Sequence, residues 1–381
     1  MTSLPCIGID IRLIGKERTG DEVVCFNLTR SLLALGQGRF RFRLFTHEAD
    51  PKQLDQLRTL LECVGREDVL FVSLPLGKNR FLWNLFVLPW ALLTHPVNIY
   101  HTQYIAPVFV WAKTKLVTHI HDVSFAAHPE WIAPRDRFFL RLLIPRSLRR
   151  SDRIIAPSRF TQSEIEKYYP YTRGKVQVIE NAVAREWLKS LTTAEQERVS
   201  QAYQLPKRYI IASGTMQPRK NITFLIQAWA KRPAELKDVG LVLTGNRFGH
   251  HVAKELQDEQ KTKDILFTGY VDTLTLRLLM ARATVFAFPS LYEGFGIPLL
   301  EAFASGVPVM ASRIPPFDEV GGEAFRSFDP TNLAEAEKTL YSLFVEEATR
   351  MRLAALARER LALFSWEKSA QKLLMEYETL I

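Results

Sequence analysis

The chain has 381 residues, nearly half of them apolar, and carries 50 Lys and Arg against 41 Asp and Glu, a net charge of +9. That is long for a single core and comfortable for two domains. Three cysteines at irregular spacing (Cys6, Cys25, Cys63) argue against a disulfide framework or metal cluster, and the longest apolar run, Phe81–Thr94, is broken by Asn84 and Pro89 and falls short of the roughly 20 residues that span a bilayer. The opening Met-Thr-Ser-Leu-Pro-Cys-Ile has no basic region ahead of its apolar residues, so no signal peptide is expected and a reducing cytoplasm is the simplest home. Residues 1–185 hold 26 Lys and Arg against 17 acids, whereas residues 186–381 hold 24 of each. The whole net charge therefore belongs to the first half, which points to an anionic partner there: an acidic lipid surface, a phosphorylated acceptor or nucleic acid.

Short apolar runs rich in β-branched and aromatic residues alternate with helical stretches along the chain. In the first half they predict strands at Ile7–Ile11, Arg41–Thr46, Val69–Ser73, Val97–His101, Leu116–His121, Arg153–Pro157 and Val176–Ile179. In the second half they predict strands at Tyr209–Ser213, Leu241–Gly245, Ile265–Gly269, Thr284–Pro289 and Val307–Ala311. Regular alternation of this kind implies right-handed βαβ units, hence an α/β protein with one doubly wound parallel sheet of seven strands and another of five. The division is expected at 1–185 and 186–363, in a polar helical connector after Asn181-Ala182-Val183, with a last helix at 364–381. Doubly wound sheets take ligands at the carboxyl ends of their strands, which predicts a site in the cleft between the domains.

Five segments carry candidate chemistry. After the first strand, Ile9-Asp10-Ile11-Arg12 leads into Arg18-Thr19-Gly20-Asp21-Glu22-Val23-Val24, where Asp21 and Glu22 suit the positive end of a starting helix. His119-Ile120-His121-Asp122-Val123-Ser124 ends a buried strand, placing imidazoles at its carboxyl end. Residues 135–150 hold six arginines against one acid, with apolar residues at 138, 139, 142, 143 and 148 predicted to share one helix side. Such a helix either lies in the headgroup region of an anionic membrane, with Phe81–Trp90 adding aromatic anchors, or packs as an ordinary helix with its arginines snorkelling. No basic motif with interleaved aromatics indicates nucleic acid. In Ser213-Gly214-Thr215-Met216-Gln217-Pro218-Arg219-Lys220-Asn221, Gly214 frees the backbone, Pro218 stiffens the turn, and Arg219 and Lys220 place two cations for a phosphate. The fifth segment runs from Tyr292 to Pro308. It reads as glycine-rich loop then helix, with Glu293 in the loop and Glu301 one turn into the helix. Gly294 and Gly296 admit a ligand close to the backbone, and the helix N-terminus offers N–H groups to an anion. A diphosphate flanked by hydroxyl-bearing groups, a nucleotide-sugar, fits that arrangement.

The Tyr292–Pro308 stretch resembles the Glu-x7-Glu motif of the retaining glycosyltransferases of family 4, which have the two-domain GT-B fold, and the likeness extends over nearly the whole chain. The resemblance implies that Glu293 contacts the donor sugar and that Glu301 holds the nucleotide ribose, beside the loop Gly294-Phe295-Gly296-Ile297. Residues 214–221 match the family's Gly-Thr-x-x-Pro-Arg-Lys-Asn pattern. This implies diphosphate binding by Lys220, with Gly214, Thr215 and Arg219 around it; Arg219 alternatively braces the loop through carboxylates. Many relatives have arginine where Thr215 stands. His121-Asp122 resembles the family's His-Asp-Leu-Ser segment, putting His121 beside the donor sugar and Asp122 near it as orienter or acceptor contact. Gly20 matches a loop bordering the acceptor and diphosphate, although Val23 and Val24 replace the usual Arg and Tyr. Leu243-Thr244-Gly245-Asn246 and Gly269-Tyr270-Val271-Asp272 fall where relatives cradle the base and diphosphate through backbone.

From this resemblance the expected activity is a retaining, metal-independent transfer of a hexose from a nucleoside-diphosphate sugar to a glycan or lipid-linked acceptor, with no separate cofactor. The Pro-Arg-Lys-Asn pattern favours mannose and hence GDP-mannose. The expected location is cytoplasmic, with peripheral contact at the inner membrane face. Two alternatives stay open: a sugar-nucleotide epimerase or other GT-B enzyme, and a non-catalytic binding or scaffold protein of the same fold.

Overall fold

The computed structural model describes residues 4–15, 20–75, 82–245 and 264–381. Arg18, Thr19, Phe81 and Asn246, named in the motifs above, lie outside the described residues. The chain divides into two compact units, residues up to 182 together with Ser365–Ile381, and Val183–Phe364.

The first unit is built on seven parallel strands: β1 (Cys6–Asp10), β2 (Arg41–Thr46), β3 (Val69–Ser73), β4 (Ile99–Gln103), β5 (Lys115–His119), β6 (Arg153–Ala156) and β7 (Val176–Val178). Their order in the sheet is β3-β2-β1-β4-β5-β6-β7. Strands such as β1 are buried along their whole length, as a parallel sheet covered by helices on both faces requires. The order reverses between β1 and β4, which leaves an open crevice where the loops after those two strands diverge. The helix Trp366–Leu380 belongs to this unit. Its Tyr377 is fully buried and bonds His101 of β4, while Arg153 reaches Glu376 at 3.0 Å and Lys372 reaches Glu180 at 2.7 Å.

The second unit repeats the architecture with β8 (Arg208–Ser213), β9 (Val239–Thr244), β10 (Ile265–Gly269), β11 (Val285–Phe288), β12 (Val309–Ser312) and β13 (Arg326–Phe328), in the order β10-β9-β8-β11-β12-β13 and parallel throughout. The sequence reading expected five strands here, and the sheet has six. β13 pairs with β12 at the edge over three residues, too few for a run or an alternation to register. The sheet reverses between β8 and β11, so the loops Gly214–Lys220 and Pro289–Gly296 leave adjacent strands at their carboxyl ends.

Two boundaries differ from the apolar pattern with consequences for the site. β4 begins at Ile99, because Asn98 accepts the Cys6 N–H through Oδ1 at 2.8 Å and sets the register Ile7 to Ile99. β5 stops at His119, so His121 lies beyond the strand in the following loop.

Candidate functional site

In the second unit the site is assembled by backbone first. The Leu291 N–H donates to the Arg219 carbonyl at 2.7 Å, tying the loop after β11 to the turn after β8. Pro218–Lys220 forms a single 3-10 turn closed by Asn221 in the left-handed region, whose side-chain amide donates to the Pro330 carbonyl at 3.0 Å. On the other side, Gly296 has φ +104° and a Cβ there would come within 2.8 Å of the Phe317 ring, so only glycine turns the chain into the helix Ile297–Ser305. Gly245 is equally constrained: at φ +120° an added Cβ would meet the Gly214 carbonyl oxygen at 2.3 Å.

These loops bring Glu293, Arg219 and Lys220 into one cluster across 73 residues of sequence. Glu293 is buried and both its oxygens are engaged. Oε1 accepts from Lys220 Nζ at 2.5 Å and from Ser290 Oγ at 2.8 Å, and Oε2 faces Arg219 Nη1 at 2.9 Å. Burial pushes the Glu293 carboxyl upward, but Arg219, Lys220 and the bonds from Lys220 and Ser290 overcome it and hold the pKa down at about 2. The carboxylate is therefore ionised at any physiological pH. Lys220 also lies 5.0 Å over the Phe288 ring, a cation–π contact that fixes the ammonium near the β11 terminus. Arg219 spreads over Glu293, the Tyr292 carbonyl at 3.3 Å and Gln217 Oε1 at 3.1 Å, so it braces the loop through a carboxylate.

The remaining predicted residues of this unit divide by side chain and backbone. Gly214 is at φ +124°, with its Cα beside the Lys220 side chain, and Thr215 accepts a backbone bond from Gln217 at 2.8 Å. Glu301 is buried one turn into the Ile297–Ser305 helix. Gly294 is buried in the loop; Phe295 and Ile297 turn their side chains into the core, the Phe295 ring lying edge-on to Phe364 at 5.7 Å. What those two offer a ligand is backbone. Asp272 caps the Thr273–Arg282 helix through the Thr275 N–H at 2.8 Å.

The first unit has its own cluster at the carboxyl end of its sheet. His121 is 8% exposed and shares a hydrogen bond with Gln103 Oε1 at 2.9 Å, with Asp21 Oδ1 3.9 Å away and the Tyr104 ring at 5.4 Å. Gly20 opens the helix Gly20–Gly36 that carries Asp21. Beneath His121, the rings of His119 and His101 stack in sequence, at 4.5 Å and 5.9 Å. Burial, together with the neighbouring histidines, pushes both of these deeper imidazoles down, His101 to about 3, so they stay neutral. Asp122 is committed to the turn: its Oδ1 accepts from the Ser124 N–H at 2.8 Å and the Ser124 hydroxyl at 2.7 Å. It positions the loop that carries His121. Asp10 is likewise engaged, in a two-pronged pair with Arg12, whose guanidinium lies 4.1 Å over Trp83.

Sequence reasoning did not single out Ser290, Phe288, Gln103 or Tyr104. Ser290 was legible as the polar residue closing the apolar run of β11, while Gln103 becomes relevant only through the register that places it opposite His119. Tyr104 follows β4 at the reversal point with φ +56°, a conformation that a bulky residue adopts only under constraint. Among the described residues no group of three His, Cys, Asp or Glu side chains is disposed to hold a metal ion, and no helix is long and apolar enough to cross a membrane.

Both the sequence and the fold have known relatives. Residues 193–360 match the family described as "Glycosyl transferases group 1", and residues 18–187 match "Glycosyltransferase Family 4". The chain is 32% identical over 298 residues to the O-antigen chain mannosyltransferase B of Escherichia coli, covering 76% of this chain and 77% of that protein. Among solved structures it resembles the sucrose-phosphate synthase of Thermosynechococcus elongatus, with TM-score 0.77, 17% identity and 99% of each chain covered. It also resembles Anabaena HepE in complex with UDP and glucose, with TM-score 0.69, 17% identity, and 98% of this chain and 100% of that one covered. The structural likenesses establish the architecture, and the sequence likeness establishes kinship: the chain belongs to the family 4-like glycosyltransferases of the GT-B fold.

Proposed function

We propose that this glycosyltransferase moves a hexose, mannose, from a nucleoside diphosphate such as GDP-mannose to a glycan or lipid-linked acceptor, with retention of anomeric configuration and without a bound metal ion. The observation that carries the reading is the Glu293–Arg219–Lys220 cluster at the reversal point of the second sheet. The leaving group of such a reaction is a nucleoside diphosphate, and its developing charge is met here by Lys220, Arg219 and the N-terminus of the Ile297–Ser305 helix. Glu301 is assigned to the ribose and Glu293 to the sugar hydroxyls. Mannose is supported by the kinship with the Escherichia coli mannosyltransferase.

Retention is carried over from the family resemblance, and what Glu293 is already doing bears on how retention would be achieved. Both its oxygens are occupied by Lys220, Ser290 and Arg219, which makes it a poor covalent nucleophile. In the step we favour, the C1–O bond to the diphosphate breaks while the acceptor oxygen bonds to C1 on the same face. The acceptor proton passes to the departing phosphate oxygen. In the first unit, the family resemblance assigns a sugar contact to His121, which is held by Gln103. The test is incubation with GDP-mannose or UDP-glucose, a mannoside acceptor and excess EDTA, followed by proton NMR of the product. An α-mannoside formed from GDP-mannose in EDTA is expected. A β-mannoside, or activity only with added divalent cation, would overturn the mechanism; release of free sugar nucleotide isomers without an acceptor would indicate an epimerase instead.

A further inference from the structure

Gln103 is the last residue of β4 and stands in register opposite His119 of β5. Tyr104, directly after it, has φ +56°, which a bulky residue adopts only when its surroundings impose it. The imposing contacts are on the backbone: the Tyr104 N–H donates to the His119 carbonyl at 2.9 Å, and the Ile105 N–H folds back to the Gln103 carbonyl at 2.6 Å. The chain thus turns sharply at Tyr104 while Gln103 stays on the strand. Strain of this kind needs a compensating gain, and the turn delivers two side chains to one imidazole. Gln103 Oε1 lies 2.9 Å from His121 Nε2, and the Tyr104 ring rests against the His121 ring with centroids 5.4 Å apart.

Which ring nitrogen of His121 carries the proton follows from its neighbours. Nε2 faces Gln103 Oε1 at 2.9 Å and Asp21 Oδ1 at 3.9 Å. Amide and carboxylate oxygens only accept, so both favour an N–H at that atom. Nδ1 then keeps the lone pair, and it has no partner among the described residues. The ring is packed by His119, stacked at 4.5 Å, and by Tyr104, tilted at 58°. Four other titratable groups surround it. The helix Gly20–Gly36 contributes Asp21, and the loop itself contributes Asp122, whose Oδ1 is taken by Ser124; β5 and β4 contribute His119 and His101, kept neutral chiefly by burial. A neutral amide therefore suits position 103. It fixes the Nε2 proton without adding the negative charge that would draw a second proton onto Nδ1 and remove the lone pair.

We propose, resting on the sugar-nucleotide reading above, that Gln103 is a positioning residue: seated by the turn at Tyr104, it holds His121 as the Nε2–H tautomer and so presents Nδ1 as a hydrogen-bond acceptor to a hydroxyl of the bound sugar. An acceptor nitrogen at that point selects for a hydroxyl over a hydrogen or a methyl on the same carbon, and it orients the sugar without taking its proton. Gln103 touches no substrate and acts through the imidazole. The tautomer itself belongs to the first unit and can be read without substrate.

The test is long-range proton–nitrogen NMR of the full chain labelled in its histidines, with His121→Asn to assign the ring, alongside Gln103→Leu and Gln103→Glu. Unchanged thermal midpoints establish that the variants fold. Without substrate at neutral pH, His121 of the parent is expected to show a protonated Nε2 and a bare Nδ1. Gln103→Leu keeps the bulk and removes the acceptor, and should mix the two tautomers. Because the bond orients the sugar while the nucleotide is held elsewhere, kcat for transfer from GDP-mannose should fall about tenfold or more in Gln103→Leu, with KM changed by less than about threefold. Gln103→Glu restores the acceptor and should recover the tautomer, but its charge favours the imidazolium, so the acid limb of its kcat profile should move up by about one pH unit. A residue that only fills space would move no limb. A parent with its proton on Nδ1, a folded Gln103→Leu that keeps both tautomer and kcat, or a Gln103→Glu profile that superimposes on the parent's would overturn the proposal. If the parent transfers no sugar from GDP-mannose or UDP-glucose, it is the reaction assigned above that fails, and the nitrogen signals alone uphold or overturn the tautomer.

Discussion

Glu293 has three partners on two oxygens, and its ionisation is coupled to two cations that are themselves mostly buried. Glu293→Gln removes the carboxylate that pairs with both Lys220 and Arg219, which costs about 2 kcal/mol once the partial exposure of the cations is allowed for. The pH dependence has a definite sign. A carboxyl held at about 2 against an ordinary 4.5 stabilises the fold fully above pH 4.5, and that contribution fades as the pH falls toward 2. Denaturant titrations of parent and variant should therefore differ by a constant amount from pH 8 to 5 and converge in more acid solution. A gap that widens toward acid would show that the ion pairs are not its source. Gly296→Ala tests the loop itself. With φ at +104° and the Phe317 ring 2.8 Å from any Cβ, it should lower stability by about 2 kcal/mol and weaken nucleotide binding together. A fully stable alanine variant would mean the loop turns differently.

At the scale of elements, the stack of His101, His119 and His121 joins β4, β5 and the loop beyond, and the last helix closes over its buried end through Tyr377. His101 and His119 are depressed by burial, so the unfolded chain binds protons that the folded one refuses. Their contribution is present above about pH 6.5 and is lost progressively below it, by about 2 kcal/mol per histidine at pH 5. Thermal unfolding monitored from pH 7.5 to 5 should show this early loss, and a midpoint independent of pH over that range would contradict it. Tyr377→Phe removes the hydroxyl bonded to His101 Nδ1 and should cost about 1–2 kcal/mol, since the imidazole is buried. Elements of this kind were unevenly legible. Runs such as Val69–Ser73 and Ile265–Gly269 coincide with their strands because their β-branched and aromatic residues suit a pleated, half-buried edge strand. β13 left no pattern because three edge residues are too few. The cations at 219 and 220 and the carboxylate at 293 were readable as residue types suited to a phosphate and a sugar, but their mutual pairing was not, because it is made by the order of strands and not by spacing. The outward turn of Phe138 and Leu142, 67% and 61% exposed on the helix Pro134–Arg150 whose Leu148 is buried, was equally hidden: apolarity predicts burial, and only packing shows which apolar residues are left outside.

For the whole molecule, two sheets of the same winding each open a crevice where their strand order reverses, and each crevice has collected polar residues: His121, Gln103 and Asp21 in the first unit, Glu293, Arg219 and Lys220 in the second. The net charge divides differently, with all of it in the first half and none in the second. Under the proposed function the second unit would attract a diphosphate by local arrangement, whereas the first carries the net positive charge suited to steering an anionic partner. The central claim is that the cluster at the reversal of the second sheet holds the diphosphate of a sugar nucleotide. Thermal stabilisation by GDP, UDP and their sugars, measured without metal on the parent and on Lys220→Ala, tests it most directly. A ligand at about 100 times its dissociation constant adds ~2.7 kcal/mol to the folded state. The account predicts a clear upward shift with one nucleotide family, GDP, that Lys220→Ala abolishes while the variant remains folded. An unchanged shift in Lys220→Ala, or no shift with any nucleotide on the parent, would contradict it.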